Sequence, residues 1–310
     1  MHLCKYKPEG LVLSMPENRE YLSSEGGLVR AMNEGVILEA MAVRCDANYT
    51  LTVDLGCMVG VIDRSDVEYD RTGNDVRDIA VITRVGKAVC FKIMGFFYDN
   101  GVKVARLSRK EAQRECCEVF LDSCIAGDII DAKVTHLESF GAFVDIGCGV
   151  VSLLSIDCIS VSRISHPSDR FKVGDRIKVV IKSNDGQRIY VTHKELLGTW
   201  EENASLFSVG QTVAGIVRSI EKYGIFVELT PNLAGLAEYR SDITVGQTTA
   251  VYIKNIIPER MKLKLVIIDA YKGENLPACE IRPFGDDVSH IDFWQYSPQG
   301  SPRLIETVFE

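Results

Sequence analysis

Several features that mark common classes of protein are missing from this sequence. No run of apolar residues approaches the ~20 needed to span a bilayer, and residues 1–10 carry Lys5, Lys7 and Glu9 without the apolar segment of a signal peptide. There is no phosphate-binding loop motif, no HExxH motif, no nucleophile-elbow string and no pair of carboxylates in a catalytic context. We therefore expect a cytoplasmic protein that contacts no membrane, has no small-molecule substrate and is not an enzyme.

The ten cysteines also lack a pattern. No CxxC pair occurs, few histidines lie near the cysteines, and Cys116 and Cys117 are adjacent, which is poor geometry for sharing a zinc ion. The sequence therefore predicts no metal site and no cofactor. So many unpatterned cysteines indicate a reducing compartment, which agrees with the cytoplasm.

The net charge of -8 argues against a protein that binds polyanions over its whole surface. The acidic residues that are in excess are distributed unevenly along the sequence, however. Residues 125–197 hold nine basic and nine acidic side chains, and residues 209–269 hold seven and six, whereas residues 270–310 hold three and seven. Basic residues within a groove of the two central regions could still bind phosphate.

What is present is a repeated string. Residues 140–147 read Phe-Gly-Ala-Phe-Val-Asp-Ile-Gly, and residues 223–229 read Tyr-Gly-Ile-Phe-Val-Glu-Leu. Residues 49–56 repeat the string loosely as Tyr-Thr-Leu-Thr-Val-Asp-Leu-Gly. A strand that recurs with aromatic residues at fixed offsets predicts a repeated domain with a repeated binding surface.

The module around the second copy shows five short strands with one long polar connection, residues 157–172, after the third strand. Ile130, Ala132 and Val134 alternate onto one face of its first strand. This layout is typical of a small closed barrel of the OB type. The strands predicted in this module are 128–137, 141–146, 150–154, 176–181 and 188–191; in the third module they are 212–220, 224–229, 235–238, 248–256 and 261–267.

The predicted fold is therefore all-β: three tandem five-stranded OB barrels joined by short helices and followed by a C-terminal tail. The predicted divisions are an N-terminal extension (1–33), a degenerate first barrel (34–108), a helical linker (109–124), a second barrel (125–192), a helical linker (193–208), a third barrel (209–269) and the tail (270–310).

Two capping boxes support the linkers. Ser108 and Glu111 follow the first module, and Thr192 and Glu195 follow the second, each in the Ser/Thr-x-x-Glu pattern that begins a helix. We expect the first helix to reach about residue 123 and the second to break near Gly198.

The first linker also carries basic residues. Arg109, Lys110 and Arg114 interleave with glutamates at spacings of three and four, which indicates mutual support along a helix rather than a binding patch.

The tail contains Phe293, Trp294 and Tyr296 and several prolines. A disordered tail rarely carries so many aromatic residues. We expect it to pack back onto a module, with a partner-binding peptide as the alternative.

Together with residues 173–179 (Val-Gly-Asp-Arg-Ile-Lys-Val) and 188–192 (Arg-Ile-Tyr-Val-Thr), the string at 140–147 resembles the S1 RNA-binding domain, an OB barrel. The resemblance extends over residues 34–269 and is strongest in the second module and weakest in the first. The array of modules is similar to bacterial ribosomal protein S1-like proteins with tandem S1 domains.

The resemblance implies a set of RNA-binding residues on one barrel face. In the second module Phe140 and Phe143 match the family's aromatic pair, Ser155 stands at its histidine position, Asn184 stands near its aspartate with Asp185 beside it, and Arg188 matches its arginine. In the third module Tyr223 and Phe226 match the aromatic pair, Glu238 replaces the histidine and Lys262 replaces the arginine. In the first module Tyr49 matches one aromatic residue, while Thr52 and Asp63 replace the second aromatic residue and the histidine.

The chemistry of these residues agrees with RNA binding. Exposed aromatic rings stack on unpaired bases with about 1–3 kcal/mol per base, and Arg188, Lys178 and Lys182 can pair with phosphate. We therefore expect the second and third modules to bind single-stranded RNA, including mRNA, with little sequence preference and in association with the small ribosomal subunit during translation. The alternatives are a protein-docking scaffold that uses the acidic first module and the aromatic tail, or an accessory factor of an RNA-processing or decay assembly.

Overall fold

The computed structural model of the chain describes residues 5–71, 76–271 and 288–309. Two helices precede the first barrel: α1 (Pro16–Leu22) and α2 (Glu25–Glu34). Helix α2 begins where the Ser24 side chain accepts a hydrogen bond from the backbone N–H of Gly27, and it ends at Gly35 in the left-handed conformation.

The main architecture is three closed barrels of five strands each. Barrel 1 consists of β1 (Leu38–Cys45), β2 (Leu51–Asp54), β3 (Val59–Ile62), β4 (Ala88–Asp99) and β5 (Val102–Ser108), with helix α3 (Asp78–Ile82) between β3 and β4. After helix α4 (Arg109–Glu115), barrel 2 consists of β6 (Ile129–Glu138), β7 (Gly141–Asp145), β8 (Val151–Ser155), β9 (Arg176–Asn184) and β10 (Ile189–Thr192). After helix α5 (Trp200–Ser205), barrel 3 consists of β11 (Thr212–Glu221), β12 (Gly224–Thr230), β13 (Leu233–Ala237), β14 (Thr248–Ile257) and β15 (Lys262–Ala270).

The three barrels share one connectivity. In each, the first strand pairs antiparallel with the second and fourth, the second pairs with the third, and the third runs parallel to the fifth. The fourth and fifth strands close the barrel as an antiparallel pair. The prediction of an all-β fold built from closed five-stranded barrels is confirmed.

Alternation of apolar residues explains why the barrels close. Ile130, Ala132 and Val134 of β6 all point into the core of barrel 2, as predicted, where they pack against Val144 and Leu154 of the next two strands. Burial of such side chains contributes about 25 cal/mol per Å² of apolar surface removed from water. Each barrel therefore has a core of its own.

The recurring glycine in the repeated string has a packing role. A Cβ atom on Gly141 would lie 2.5 Å from the carbonyl oxygen of Leu154, and one on Gly224 would lie 2.5 Å from the carbonyl oxygen of Ala237. Because these obstacles are backbone atoms of the neighbouring strand, only glycine permits the close approach of the second and third strands.

The linkers follow the prediction in part. Helix α4 begins at Ser108, whose side chain accepts a hydrogen bond from the Glu111 backbone N–H, and helical turns continue to Ser123. The prediction of a capping box at Thr192 is wrong: its hydroxyl contacts Glu195 side chain to side chain, at 2.6 Å, and the following turn is a short 3₁₀ segment. The capping box that does form joins Thr199 and Glu202 and begins α5.

The interpretation of Arg109 as a surface helix residue is also wrong. Arg114 pairs with Glu111 and Glu118 along the helix as expected. Arg109, however, is fully buried between barrels 1 and 2, where its guanidinium donates two hydrogen bonds to the carboxylate of Glu9 at 2.6 and 3.0 Å. The N-terminal segment therefore lies between these two barrels.

Barrels 2 and 3 are joined by a second buried ion cluster and by the tail. Glu228 of β12 accepts hydrogen bonds from Arg218 of β11 and from Arg170 of the barrel 2 connection. In the described part of the tail, strands β16 (Phe293–Gln295) and β17 (Glu306–Val308) form a small sheet. Trp294 and Tyr296 are buried in the core of barrel 3.

The described tail residues therefore pack back onto the barrels, as expected; Pro277 and Pro283 lie outside the described residues. Among the described residues, no helix has the length and apolar character needed to cross a bilayer.

Candidate nucleic-acid interface

One line of side chains crosses the outer surface of barrel 2 from strand to strand. His136 pairs with Phe143, Phe143 with Leu153, and Leu153 with Tyr190. None of the four lies in a hydrophobic core: Phe143, Leu153 and Tyr190 each alternate with buried neighbours on their strands, and His136 is exposed. We refer to these four residues, and to their register equivalents in the other barrels, as the outer row.

The two predicted aromatic residues of barrel 2 meet at this row. Phe140 is 53% exposed and lies edge-on to the half-exposed ring of Phe143, with centroids 6.0 Å apart and planes at 90°. The imidazole of His136 stacks on Phe143, with centroids 6.2 Å apart and planes at 27°. Three rings therefore form one accessible platform of the kind on which unpaired bases stack.

Barrel 3 repeats this geometry. Tyr223 is 69% exposed and lies edge-on to Phe226 at a centroid distance of 6.1 Å and an angle of 89°. Its outer row is Ser219, Phe226, Leu236 and Lys264, set by the same register. In both barrels, two aromatic residues three positions apart in the sequence therefore form an edge-on pair of rings on the outer surface.

The polar residues predicted around the last hairpin of barrel 2 have a visible local role. The Asn184 side chain accepts a hydrogen bond from the backbone N–H of Gly186 at 3.0 Å. Asp185 accepts hydrogen bonds from the backbone N–H groups of Arg188 and Gln187, which hold the pKa of its carboxyl below the ordinary value. The hairpin is therefore shaped by these side chains, while the Arg188 side chain remains exposed beside Tyr190.

Ser155 and the two predicted lysines, Lys182 and Lys178, lie at three separate positions on barrel 2. Ser155 stands opposite Gly141 at the Phe140 end of the row. Lys182 is exposed at the bulge next to Tyr190, and its Nζ atom lies 3.8 Å from the sulfur of Cys158. Lys178 stands opposite Asp131.

Asp131 lies five positions along β6 from His136, or about 16 Å at the rise of a strand. The structure therefore does not bring Lys178 to the outer row.

In barrel 3 the structure identifies a lysine that the sequence interpretation missed. Lys262 is exposed opposite Ile257, at the end of β15. Lys264, two residues on and also exposed, pairs with Leu236 and so occupies the position that Tyr190 has in barrel 2. The Lys-Leu-Lys alternation at 262–264 was the available signal. His136 and Tyr190 were missed as well, although Tyr190 alternates with the buried Ile189 and Val191.

Barrel 1 has a different outer row: Arg44, Thr52, Val61 and Arg106. The aromatic pair is absent, as the sequence indicates, but two exposed arginines occupy the ends of the row. Tyr49 lies beside the row rather than on it, in the left-handed conformation, with the Arg64 guanidinium 5.0 Å from its ring centroid. Barrel 1 therefore offers cations where barrels 2 and 3 offer stacking rings.

The described residues contain no cluster of three or more His, Cys, Asp or Glu side chains that could hold a metal ion. The recurrent acids of the second strands serve local structure. Asp54 accepts a hydrogen bond from the Gly56 backbone N–H, and Asp145 accepts them from Gly147, Gly149 and Glu9.

Burial raises the pKa of Asp145 to about 6, with the nearby carboxylate of Glu9 acting in the same direction. These acids close turns and hold the N-terminal segment.

Comparison with known proteins agrees with this geometry. Residues 124–194, which contain barrel 2, match the model of the S1 RNA binding domain. The chain is 30% identical over 150 residues to small ribosomal subunit protein bS1 of Leuconostoc lactis, covering 48% of this chain and 33% of that protein. It is 32% identical over 163 residues to bS1 of Staphylococcus epidermidis, covering 51% of this chain and 41% of that protein. The matched region thus spans less than half the length of these relatives.

Among solved structures, a crystal structure of a multidomain protein with nucleic acid binding domains from Streptococcus pneumoniae is 13% identical. The alignment covers 76% of this chain and 74% of that one, with a TM-score of 0.24. Residues 124–194 therefore form an S1 RNA binding domain, and the chain is similar to bS1 proteins over about half of its own length.

Proposed function

We propose that the chain binds single-stranded RNA, including mRNA, through the outer rows of barrels 2 and 3. The observation that carries this proposal is the repeated edge-on aromatic pair, Phe140 with Phe143 and Tyr223 with Phe226, at nearly identical centroid distances of 6.0 and 6.1 Å. Aromatic platforms with nearby cations suit bases and phosphates together, because stacking tolerates every base and the cations release counterions from the backbone.

The proposal includes a place of action. The bS1 relatives are named as proteins of the small ribosomal subunit, and we propose that this chain also associates with that subunit during translation in the cytoplasm. No catalytic step is part of the proposal.

The burial of two tail aromatic residues weakens the alternative that the chain is a protein-docking scaffold. It relied on aromatic residues of the tail, and Trp294 and Tyr296 are buried against barrel 3 at 4% and 6% exposure. Of the three tail aromatic residues considered, Phe293 alone is exposed, at 50%. The net charge of -8 remains as the observation in favour of a protein partner.

The test compares the complete chain with the Phe140→Ala/Phe143→Ala variant in binding to an unstructured oligouridylate. Loss of two stacked rings should weaken binding by about 2–6 kcal/mol, or at least about thirtyfold. Tyr98→Ala is a matched control, because Tyr98 is 73% exposed on barrel 1 away from the rows. Unchanged binding by the double variant would contradict the stacking proposal. Co-purification from cells, followed by identification of ribosomal RNA, messages and proteins, tests the place of action and the RNA-decay alternative.

A further inference from the structure

A cleft lies between the outer row of barrel 2 and a loop of barrel 1. It encloses a cavity of about 650 Å³. One wall is formed by Phe143, Leu153 and Tyr190 of the outer row, and the opposite wall includes Tyr69 and Arg77. The proposed RNA-binding face of barrel 2 therefore continues into a walled cleft instead of ending at open solvent.

A second cavity, of about 880 Å³, extends the cleft across barrel 1. The two cavities share residues 68–70 and Val76 as lining, so they are neighbouring sections of one groove. The second section reaches Thr50, Asp63 and Arg64.

The far end of this groove lies at a defined register position on barrel 1. Thr50 and Asp63 stand one position beyond the Leu51–Ile62 pair of β2 and β3. In barrel 2 the register-equivalent position is the Gly141–Ser155 pair, beside Phe140. The groove therefore joins the outer face of barrel 2 to the equivalent face of barrel 1.

Contacts between the barrels hold the two walls together. The Arg71 guanidinium donates a hydrogen bond to the carbonyl oxygen of Gly186 at 3.0 Å and pairs with Asp122 at 2.8 Å. Below the cleft, the buried Glu9–Arg109 pair joins the N-terminal segment to the first linker. A groove built this way is preformed, which lowers the entropic cost of ordering a flexible ligand in it.

The lining suits a single nucleic-acid strand. Tyr69, which is half-exposed and packs in part against the barrel 2 core, adds an aromatic ring to the lining of both sections. Arg77 is exposed at the start of α3 and makes no ion pair within 4 Å with any described residue. Glu68 and Asp70 lie on the same wall, so a strand must turn its phosphates toward Arg77 and its bases toward Tyr69.

We propose that single-stranded RNA leaving the outer row of barrel 2 continues through this groove onto barrel 1, with a base at Tyr69 and a phosphate at Arg77. The proposal rests on the proposed RNA-binding function. It adds barrel 1 to the second and third modules, for which RNA binding was expected from the sequence, because barrel 1 supplies one wall of the groove and the exit from it.

The first test is a length series with the complete chain. Arg77→Glu should weaken binding of an oligouridylate of about sixteen nucleotides by about tenfold and leave one of about four nucleotides, which one barrel can hold, within about twofold. The slope of log K against log salt should fall by about 0.7 for the lost phosphate contact. Arg19→Glu is the charge-matched control, because Arg19 is exposed on α1 and lines neither cavity.

The second test is photo-crosslinking of the native chain to an oligonucleotide containing 4-thiouridine, with the attachment sites mapped by mass spectrometry. Attachment at Tyr69 or within residues 64–71, in addition to barrel 2, is the expected result. Attachment confined to barrels 2 and 3, together with equal effects of Arg77→Glu and Arg19→Glu, overturns the groove while leaving the proposed function intact. If Phe140→Ala/Phe143→Ala also binds normally, the proposed function itself fails.

Discussion

Arg109 and Glu9 form a bidentate ion pair in the interior of the molecule. The guanidinium Nε and Nη2 atoms lie 2.6 and 3.0 Å from the two carboxylate oxygens. The same guanidinium donates to the carbonyl oxygens of Val67, at 2.9 Å, and Gly149, at 3.3 Å. One side chain thus contacts the N-terminal segment, barrel 1 and barrel 2. It therefore links the two barrels directly.

Arg109→Met should therefore destabilise the protein by about 3–5 kcal/mol, because it leaves the Glu9 carboxylate buried without its partner. Glu9→Gln/Arg109→Met should recover part of that loss, because the buried carboxylate is removed together with its main partner, while Arg84 loses its ion pair with Glu9. Chemical denaturation of both variants measures the difference. If the single variant loses less than about 1 kcal/mol, the pair does not hold the barrels in place.

The carboxyl group of Glu39 predicts a dependence of stability on pH. Burial raises its pKa from 4.5 to about 7, and the Glu9 carboxylate adds to the shift. One oxygen accepts hydrogen bonds from the backbone N–H groups of Gly10, Val12 and Leu13, while the other is buried without a partner in the described residues.

Because the pKa of Glu39 is higher in the folded state, the folded protein binds the proton more tightly. Its contribution to stability is therefore lost as pH rises from about 4.5 through about 7. The loss should amount to about 3 kcal/mol. Glu39→Gln should remove this component, so the difference in unfolding free energy between the two proteins should grow in favour of the variant from pH 5 to pH 8. A constant difference across that range contradicts the assignment.

Gly141→Ala should destabilise barrel 2 by about 1–3 kcal/mol, because the new methyl group meets the carbonyl oxygen of Leu154 at 2.5 Å. Gly26→Ala is the control: Gly26 lies within α2, where the nearest atom is the Ser24 hydroxyl oxygen at 4.0 Å. Alanine at this position should stabilise the helix by about 0.5–1 kcal/mol. Thermal unfolding of both variants shows whether close strand approach, rather than loss of a glycine in general, is responsible.

Tyr190→Ala should weaken binding of single-stranded RNA by about 1–3 kcal/mol, because it removes one ring from the outer row. Lys178→Ala should change affinity much less, because its position opposite Asp131 is about 16 Å along β6 from the row. Titration of a labelled oligouridylate with each variant measures the contrast. A larger effect of Lys178 than of Tyr190 would show that RNA follows another face of the barrel.

The sequence alone predicted the parts of the fold that depend on local patterns. Alternation of Ile130, Ala132 and Val134 predicted a strand face, and that face is the core of barrel 2. The spacing of Phe140 and Phe143 identified the aromatic pair, because a bulged first strand and a glycine keep both rings on the outside in each copy. Lys178 lies opposite Asp131, away from the outer row, which strand position alone does not reveal because it does not say which neighbour lies across the sheet.

The tertiary structure decided what depends on residues distant in the chain. In the sequence, Arg109 is one of several basic residues on a helix. Its pairing with Glu9, 100 positions earlier, is visible only in the tertiary structure. Lys264 and Tyr190 became equivalent only through the parallel pairing of the third and fifth strands, which no local pattern reveals. Alternation along a strand and the four-residue capping patterns predict individual strands and helix starts, because those elements are local. The groove between barrels 1 and 2 exists only because buried long-range pairs fix how the barrels meet.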